Sequence, residues 1–466
     1  MLSAEQLREL EAAVGAASLI LDERRVAFAA DELKVPYLPH AVVEARSVAD
    51  IQALLRWANR HKVPVTPRGA GTGLSGGALA VRGGVVLSMA RFNRILEIDP
   101  VNRWAVVEPG VINFQLQEAA APHGLFYPPD PASWESSSLG GNVAEDAGGP
   151  RCVKYGVTRA YVLQLEAVLP SGEVITCGPR TRKGVAGYSL RDLLIGSEGT
   201  LAVITRMVLR LQPKPARTLT LLALLPDSAS ACALAATINR EGLTPSALEF
   251  MDEAAVELVR GDLPMALPEG CRSLLLLEAD GGRAEAEELA ERLGHLCGEA
   301  GALDVWMAEG GEKAARLWEV RRRLSHTTRE RFAQKLSEDI AVPLDRLQEC
   351  LEACRRLGQA KGVHVLAYGH LGDGNLHVNV LSREEGEASL ARMWQVVEEI
   401  FRLAVDFGGT ITAEHGVGCW KQPYIGIELS PQSEQLQMNI KRLFDPNNIL
   451  NPAKIFSWPQ IEEFDA

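Results

Sequence analysis

Pro67-Arg68-Gly69-Ala70-Gly71-Thr72-Gly73-Leu74-Ser75-Gly76-Gly77 holds five glycines in the nine residues from Gly69 to Gly77. Within it, Gly71 to Gly76 fits G-x-G-x-x-G, and Glu97 follows at about the distance of an acidic ribose ligand in a dinucleotide fold. A Rossmann loop must open a helix whose N-terminus faces the pyrophosphate. Here Gly83-Gly84 and the strand Val85 to Leu87 arrive only seven residues after Gly76, so no crossover helix fits. What remains is a loop whose backbone N–H groups can converge on an anion without Cβ atoms in the way, or a glycine-rich turn with no ligand. As a cradle it requires glycine at 71 and 73, where a branched side chain would fill the anion's space and resist positive φ.

Working outward, Ser47-Val48-Ala49-Asp50 has capping-box spacing, and Ile51, Leu54, Leu55 and Ala58 recur on one helical face. A helix to about Arg60 is predicted, then strands at Val63–Thr66 and Gly84–Ser88, with the loop joining the two. Further strands are expected at Trp104–Val107, Tyr161–Leu169 and Leu201–Leu211, with a hairpin-style turn at Pro170-Ser171-Gly172-Glu173. Two prolines in Pro213-Lys214-Pro215 mark a boundary. Beyond it, strands alternate with charged helices at Ala284–Glu299, Glu312–Arg329 and Leu344–Gln359.

The chain has 466 residues, 47% of them hydrophobic and 23% charged, which suits a globular protein of two or three domains. A formal net charge of -12 opposes nucleic-acid binding. The N-terminus carries mixed charges rather than a secretory signal, and no apolar stretch approaches the roughly 20 residues of a membrane helix. A cytoplasmic protein is expected, peripheral to a membrane at most through a partner. Eight dispersed cysteines read as reduced thiols, and no cysteine run suits an iron–sulfur cluster.

Two more small-residue segments accompany the first loop. One is Pro128-Pro129-Asp130-Pro131 followed by Ser136-Ser137-Ser138-Leu139-Gly140-Gly141-Asn142-Val143-Ala144-Glu145-Asp146-Ala147-Gly148-Gly149; the other is Gly196-Ser197-Glu198-Gly199-Thr200, leading through Ile204 into a strand. In this order and spacing the three resemble the FAD-binding domain of the vanillyl-alcohol oxidase family, the PCMH type. The remainder, with Gly369-His370-Leu371-Gly372-Asp373-Gly374-Asn375-Leu376-His377, Ala413-Glu414-His415-Gly416-Val417-Gly418 and Phe444-Asp445-Pro446-Asn447-Asn448-Ile449-Leu450-Asn451-Pro452, resembles the branch that oxidises D-2-hydroxy acids. The resemblance covers about residues 28 to 456.

That resemblance implies an α+β protein: an N-terminal helical segment (1–37), a two-part PCMH-type FAD-binding domain (38–215), an α+β substrate or cap domain built on an antiparallel sheet with helices and ending in a tail that returns to the flavin (216–456), and an extension (457–466). It implies that Pro67, Arg68, Gly69, Ala70, Gly71, Thr72 and Gly73 hold the FAD pyrophosphate. Ser137, Gly140, Gly141, Asn142, Ala147, Gly148 and Gly149 would line the isoalloxazine and linker, with Gly196, Glu198, Gly199, Ile204 and Asn451. Some relatives attach FAD through histidine or cysteine; the first loop has neither, so non-covalent FAD is expected.

Asp373-Gly374 is a strong hairpin signal. A two-residue turn would pair Gly372 with Asn375, Leu371 with Leu376 and His370 with His377, so both imidazoles share one face with Tyr368 and Asn379. Such histidines could hold a divalent cation such as zinc or manganese, with Glu414 as third ligand, or could be neutral residues hydrogen-bonded in a polar cleft. The resemblance implies the metal, makes His415 the base, and places Arg321 against a substrate carboxylate, with Lys421 and Asn379 as further substrate contacts. Because Arg322 and Arg323 adjoin it, Arg321 also reads as part of a solvated helix face. Glu414 and His415, in an extended segment, should point to opposite faces. The expected activity is oxidation of a small D-2-hydroxy acid to the 2-oxo acid by hydride transfer to flavin N5, with an iron–sulfur or second flavin-domain subunit as electron acceptor. The alternatives are a flavin reductase of the enolpyruvyl-sugar-nucleotide type and a non-catalytic flavin subunit.

Overall fold

The computed structural model describes residues 2–263 and 265–458, so the expected extension 457–466 lies outside the described residues from 459 onward. The chain forms two compact units. The first takes the chain to Gly148, resumes with Val157–Lys214 and resumes again from Glu414; the second comprises Gly149–Gly156 and Pro215–Ala413.

In the first unit, strand Val65–Arg68 lies parallel to Val85–Ser88, which lies parallel to Ala41–Glu44, with Leu19–Ile20 antiparallel at the edge. The glycine loop therefore joins two adjacent parallel strands with no intervening helix. The first of these strands begins two residues later than expected, because the Val63 N–H still closes the preceding helix onto the Ala58 carbonyl. That helix, Val48–His61, starts at the Ser47–Asp50 capping box and buries Ile51, Leu54, Leu55, Trp57 and Ala58. Each fully buried leucine or isoleucine there contributes about 1.5–3 kcal/mol. A five-stranded antiparallel sheet follows in the order Ile95–Asp99, Trp104–Val107, Val203–Arg210, Val162–Val168, Val174–Cys177. Its last hairpin turns through Pro170-Ser171-Gly172-Glu173, with Gly172 at φ +83.

The second unit is a seven-stranded antiparallel sheet in the order Asp304–Glu309, Arg217–Leu225, Ser273–Gly281, Ala247–Met251, His364–His370, Asn375–Ser382, Gln334–Ala341. Register assigns one face to Leu222, Leu224, Leu274, Leu276, Met251, Leu366 and Leu381, an apolar patch covered by helices Glu253–Val259 and Gly311–Arg331. The same face carries Glu249, His370, Tyr368, His377, Asn379, Asp339 and Lys335. One sheet face is thus apolar in one part and densely polar in the other, which a purely structural core would not tolerate without matched partners.

The expected two-residue hairpin is not formed. Strand pairing ends at Tyr368↔His377, and Leu371–Asp373 makes a turn of 3-10 helix closed by Gly374 at φ +81. A Cβ at Gly374 would collide with the Val342 carbonyl oxygen. Eight residues, 369 to 376, separate the last paired partners where the D-G signal suggested two. His370 consequently stands across from Glu249 on the neighbouring strand rather than from His377.

Candidate functional site: a glycine cradle and a histidine-bearing sheet face

In the first unit the three loops are stitched to one another. Ser138 accepts the Gly141 N–H as N-cap of helix Leu139–Glu145 and also accepts the Ala70 N–H at 3.3 Å. A Cβ at Gly69 would collide with the Ser138 hydroxyl, and one at Gly140 with Pro109. Gly196 and Glu198 donate their N–H groups to Val143 and Ala144 at 3.0 and 2.8 Å, tying the third loop to that helix. Asn451 Nδ2 donates to the Gly77 and Glu198 carbonyls at 2.9 and 2.7 Å, so the C-terminal segment clamps first and third loops together. Ala147 accepts from Thr158, and Ile204 sits half-buried opposite Ala167. Gly148 ends this stretch of the first unit and Gly149 begins the second, where its carbonyl accepts the Cys152 N–H.

Gly71 has φ +76, and its Cβ would collide with the Arg68 guanidinium. Gly73 differs from expectation: its φ is not positive and a Cβ there would meet nothing within 4 Å. Backbone conformation and the Arg68 guanidinium both favour glycine at 71; the space beside 73 is open. Arg68 is buried, its guanidinium donating to the Ala30 carbonyl at 2.7 Å, so the side chain braces the loop from behind. Ser137 Oγ and Asn142 Nδ2 are buried without a hydrogen-bond partner among the described residues, which fits a polar ligand at these loops.

The first unit also holds the returning segment 414–418. Glu198, at φ +51, accepts the Val417 and Gly418 N–H groups, each at 2.7 Å. Burial pushes the Glu198 carboxyl up to about 6 against those two N–H groups and the nearby Lys454 and Lys421. Lys421 is itself buried in this unit. The chain bends at 413–415, and Glu414 Oε1 lies 3.5 Å from His415 Nε2. The two side chains therefore converge instead of pointing to opposite faces, because a bend and not a strand carries them.

In the second unit, His370 and His377 meet despite the changed register. Their Nε2 atoms face each other at 3.4 Å with rings edge-on, and Tyr368 packs 5.6 Å from the His377 ring. His370 Nδ1 contacts Glu249 Oε1 at 2.5 Å, and Arg321 Nη2 forms an ion pair with Glu249 Oε2 at 2.9 Å. Arg321 is 8% exposed and its guanidinium stacks 4.7 Å over Tyr368, so it belongs to the buried face of its helix while Arg322 and Arg323 are exposed. Asn379 Nδ2 donates to the His377 carbonyl at 3.0 Å, leaving its Oδ1 buried without a hydrogen-bond partner among the described residues, as is Arg321 Nε. Asp339 accepts the Ala413 N–H at 2.9 Å on the strand beside His377.

The segment 214–455 matches the family model of FAD linked oxidases, C-terminal domain, and 39–178 matches an FAD binding domain. The glycolate oxidase subunit GlcD of Bacillus subtilis is 38% identical over 420 residues, covering 90% of this chain and 89% of that protein. The chain belongs to the FAD-linked oxidase family. A D-lactate dehydrogenase of Archaeoglobus fulgidus is 40% identical over 418 residues, covering 89% and 90%. A D-2-hydroxyglutarate dehydrogenase of Stutzerimonas stutzeri is 35% identical over 434 residues, covering 90% and 91%. Among solved structures, the 4-ethylphenol oxidase of Gulosibacter chungangensis superposes with a TM-score of 0.79 at 21% identity over 98% of both chains, a likeness of fold. This FAD-linked oxidase is thus an FAD-dependent oxidoreductase with the expected fold. Among the described residues, no helix is long and apolar enough to cross a membrane.

Two site residues of this FAD-linked oxidase escape a reading of the sequence. Glu249 lies in Ala-Leu-Glu-Phe-Met and shows its role only through register with His370. Lys335 donates from Nζ to Thr328 Oγ1 at 2.7 Å and to Ser325 at 3.2 Å, and burial, aided by Arg329, pushes its amine down to about 7. The signal was periodic: Arg321, Ser325 and Thr328 recur at helical spacing, and Lys335, Ser337 and Asp339 alternate along a strand.

The histidine pair passes a geometric test for a metal. Two nitrogens bound to one tetrahedral zinc at about 2.0–2.1 Å stand roughly 3.3–3.4 Å apart. The Nε2 atoms are already at that separation.

Proposed function

We propose that this FAD-linked oxidase oxidises a small D-2-hydroxy acid, of the glycolate, D-lactate or D-2-hydroxyglutarate type, to the 2-oxo acid. The observation that carries the reading is that one sheet face presents a paired-imidazole site and a buried arginine together, the donors a 2-hydroxy carboxylate requires. The names of the relatives support it, and none of those cited is an enolpyruvyl reductase. His370, His377 and Glu414 would hold a divalent cation, zinc or manganese, and non-covalent FAD would occupy the cradle of the first unit.

When bound, the flavin supplies a hydride acceptor at N5 and the cation a Lewis acid that favours the ionised hydroxyl. The chain's own residues do the rest. Arg321 holds the substrate carboxylate through its charge and the buried, unpartnered Nε. Asn379 Oδ1 is poised to accept from the hydroxyl or to order a water beside it. His415 would take the hydroxyl proton at a ring nitrogen as the substrate's Cα–H bond gives up its hydride, so the proton and the hydride leave the alcohol to different acceptors. Glu198 fixes the base's loop by gripping Val417 and Gly418. Lys421 remains a proposed further substrate contact. Because a relative is named as a subunit, a partner carrying an iron–sulfur cluster or second flavin domain is the proposed electron acceptor, in the cytoplasm.

Anaerobic mixing of the yellow protein with D-lactate, glycolate, D-2-hydroxyglutarate and L-lactate tests the reading. Bleaching of the oxidised flavin band by at least one of the first three, and not by L-lactate, is expected; an unbleached flavin with all four refutes it.

A further inference from the structure

We infer that Glu249 is a positioning residue that couples the cation site to the carboxylate grip; the inference rests on the proposed metal reading. Glu249 is 0% exposed, and its two oxygens serve different partners. Oε1 meets His370 Nδ1 at 2.5 Å, and Oε2, which accepts no hydrogen bond among the described residues, is balanced by the charge of Arg321, whose Nη2 lies 2.9 Å away. Strand register sets this arrangement, since Glu249 stands directly across from His370 and the pair shares the sheet face under which Arg321 is buried.

A carboxylate enclosed this way is expensive unless both oxygens are matched. Matching has a consequence at each end. A carboxylate that accepts from Nδ1–H fixes the tautomer of His370, so that its Nε2 carries the lone pair and points toward His377. The same charge holds Arg321 from one side, while Tyr368 holds the guanidinium plane from the other. One acid therefore orients a metal ligand and a substrate ligand at once. A purely structural acid would anchor neither specifically, and a partner of the histidine alone would leave the arginine unaffected.

The test uses the FAD-loaded full chain with Glu249→Gln, which keeps shape and removes charge. Zinc affinity is read by chelator competition, and the carboxylate grip by the affinity for propionate, which has no hydroxyl with which to chelate, from perturbation of the flavin spectrum. Zinc binding is expected to weaken roughly 10–100-fold. Propionate binding should weaken in the same variant, with flavin content unchanged. Arg321→Met is the control: it should lose propionate and keep zinc. If Glu249→Gln loses zinc affinity alone, propionate affinity alone, or neither, the coupling is wrong. Wild-type protein that binds no stoichiometric zinc or manganese would overturn the metal reading itself, and the inference with it; a metal-loaded wild type beside an unchanged variant overturns only the inference. Should Glu249→Gln not fold, Glu249→Asp keeps the charge with shorter reach, and it should show a smaller loss in both affinities; a loss in only one, or in neither, is again the contrary result.

Discussion

Lys335 gives a pH-dependent prediction that needs no substrate. Its amine, enclosed by Ser325 and Thr328, falls from the ordinary 10.5 to about 7, chiefly because burial disfavours the charged form and secondarily because of Arg329. Below pH 7 both folded and unfolded chains carry the proton, and the folded state bears the full cost of the enclosed charge. Between about 7 and 10.5 the unfolded chain binds the proton that the folded chain has released, so stability rises with pH across that window. At 1.36 kcal/mol per unit, a drop of about 3.5 units is worth at most about 5 kcal/mol. The side chain is partly exposed, which reduces this to a few kcal/mol. Lys335→Met should therefore stabilise the second unit at pH 6, and the gain should shrink steadily toward pH 10.5. For a domain of roughly 200 residues each kcal/mol moves Tm by about 2–4 °C. Differential scanning calorimetry of wild type and variant at pH 6, 8 and 10 measures it. A Tm difference that is constant across the three pH values would refute the enclosed, charge-averse amine.

Three further outcomes are expected. Gly71→Val should abolish FAD binding, since φ +76 and the Arg68 guanidinium exclude a branched side chain, whereas Gly73→Ala, with open space around it, should bind FAD more weakly without loss of folding; flavin absorbance per chain after gel filtration measures both. His370→Ala and His377→Ala should each remove bound metal, measured by elemental analysis, at unchanged flavin content, because both belong to the second unit and the cradle to the first. His415→Asn should keep FAD and metal but slow anaerobic flavin reduction by about two to four orders of magnitude, the usual worth of a positioned base.

The cradle was legible because glycine is informative: loops 67–77, 136–149 and 196–200 carry small residues where backbone must approach a ligand or another loop, as Ser138 against Gly69 shows. Alternation and helical periodicity located most strands and helices within two or three residues. The histidine pair was legible as a pair but for the wrong geometric reason. A D-G dipeptide favours a two-residue turn locally, yet Gly374 packs against the Val342 carbonyl and the 3-10 turn shifts the register. Glu249 was not legible, since its role depends on which non-adjacent strands pair, and no local pattern encodes that; Lys335 left only the helical spacing of Ser325 and Thr328 in the preceding helix as a signal. Arg321 was separable from Arg322 and Arg323 only once the helix had a buried side.

If a D-2-hydroxy acid gives its Cα hydride directly to the flavin, the Cα–H bond breaks in the flavin-reduction step. Anaerobic stopped-flow reduction with the protio and 2-deuterio forms of whichever substrate bleaches the flavin tests it most directly. A primary isotope effect on the flavin-reduction rate is expected, retained in the slow residual reduction by His415→Asn. Reduction at equal rates with both isotopologues, under conditions where substrate binding is saturated, would contradict it.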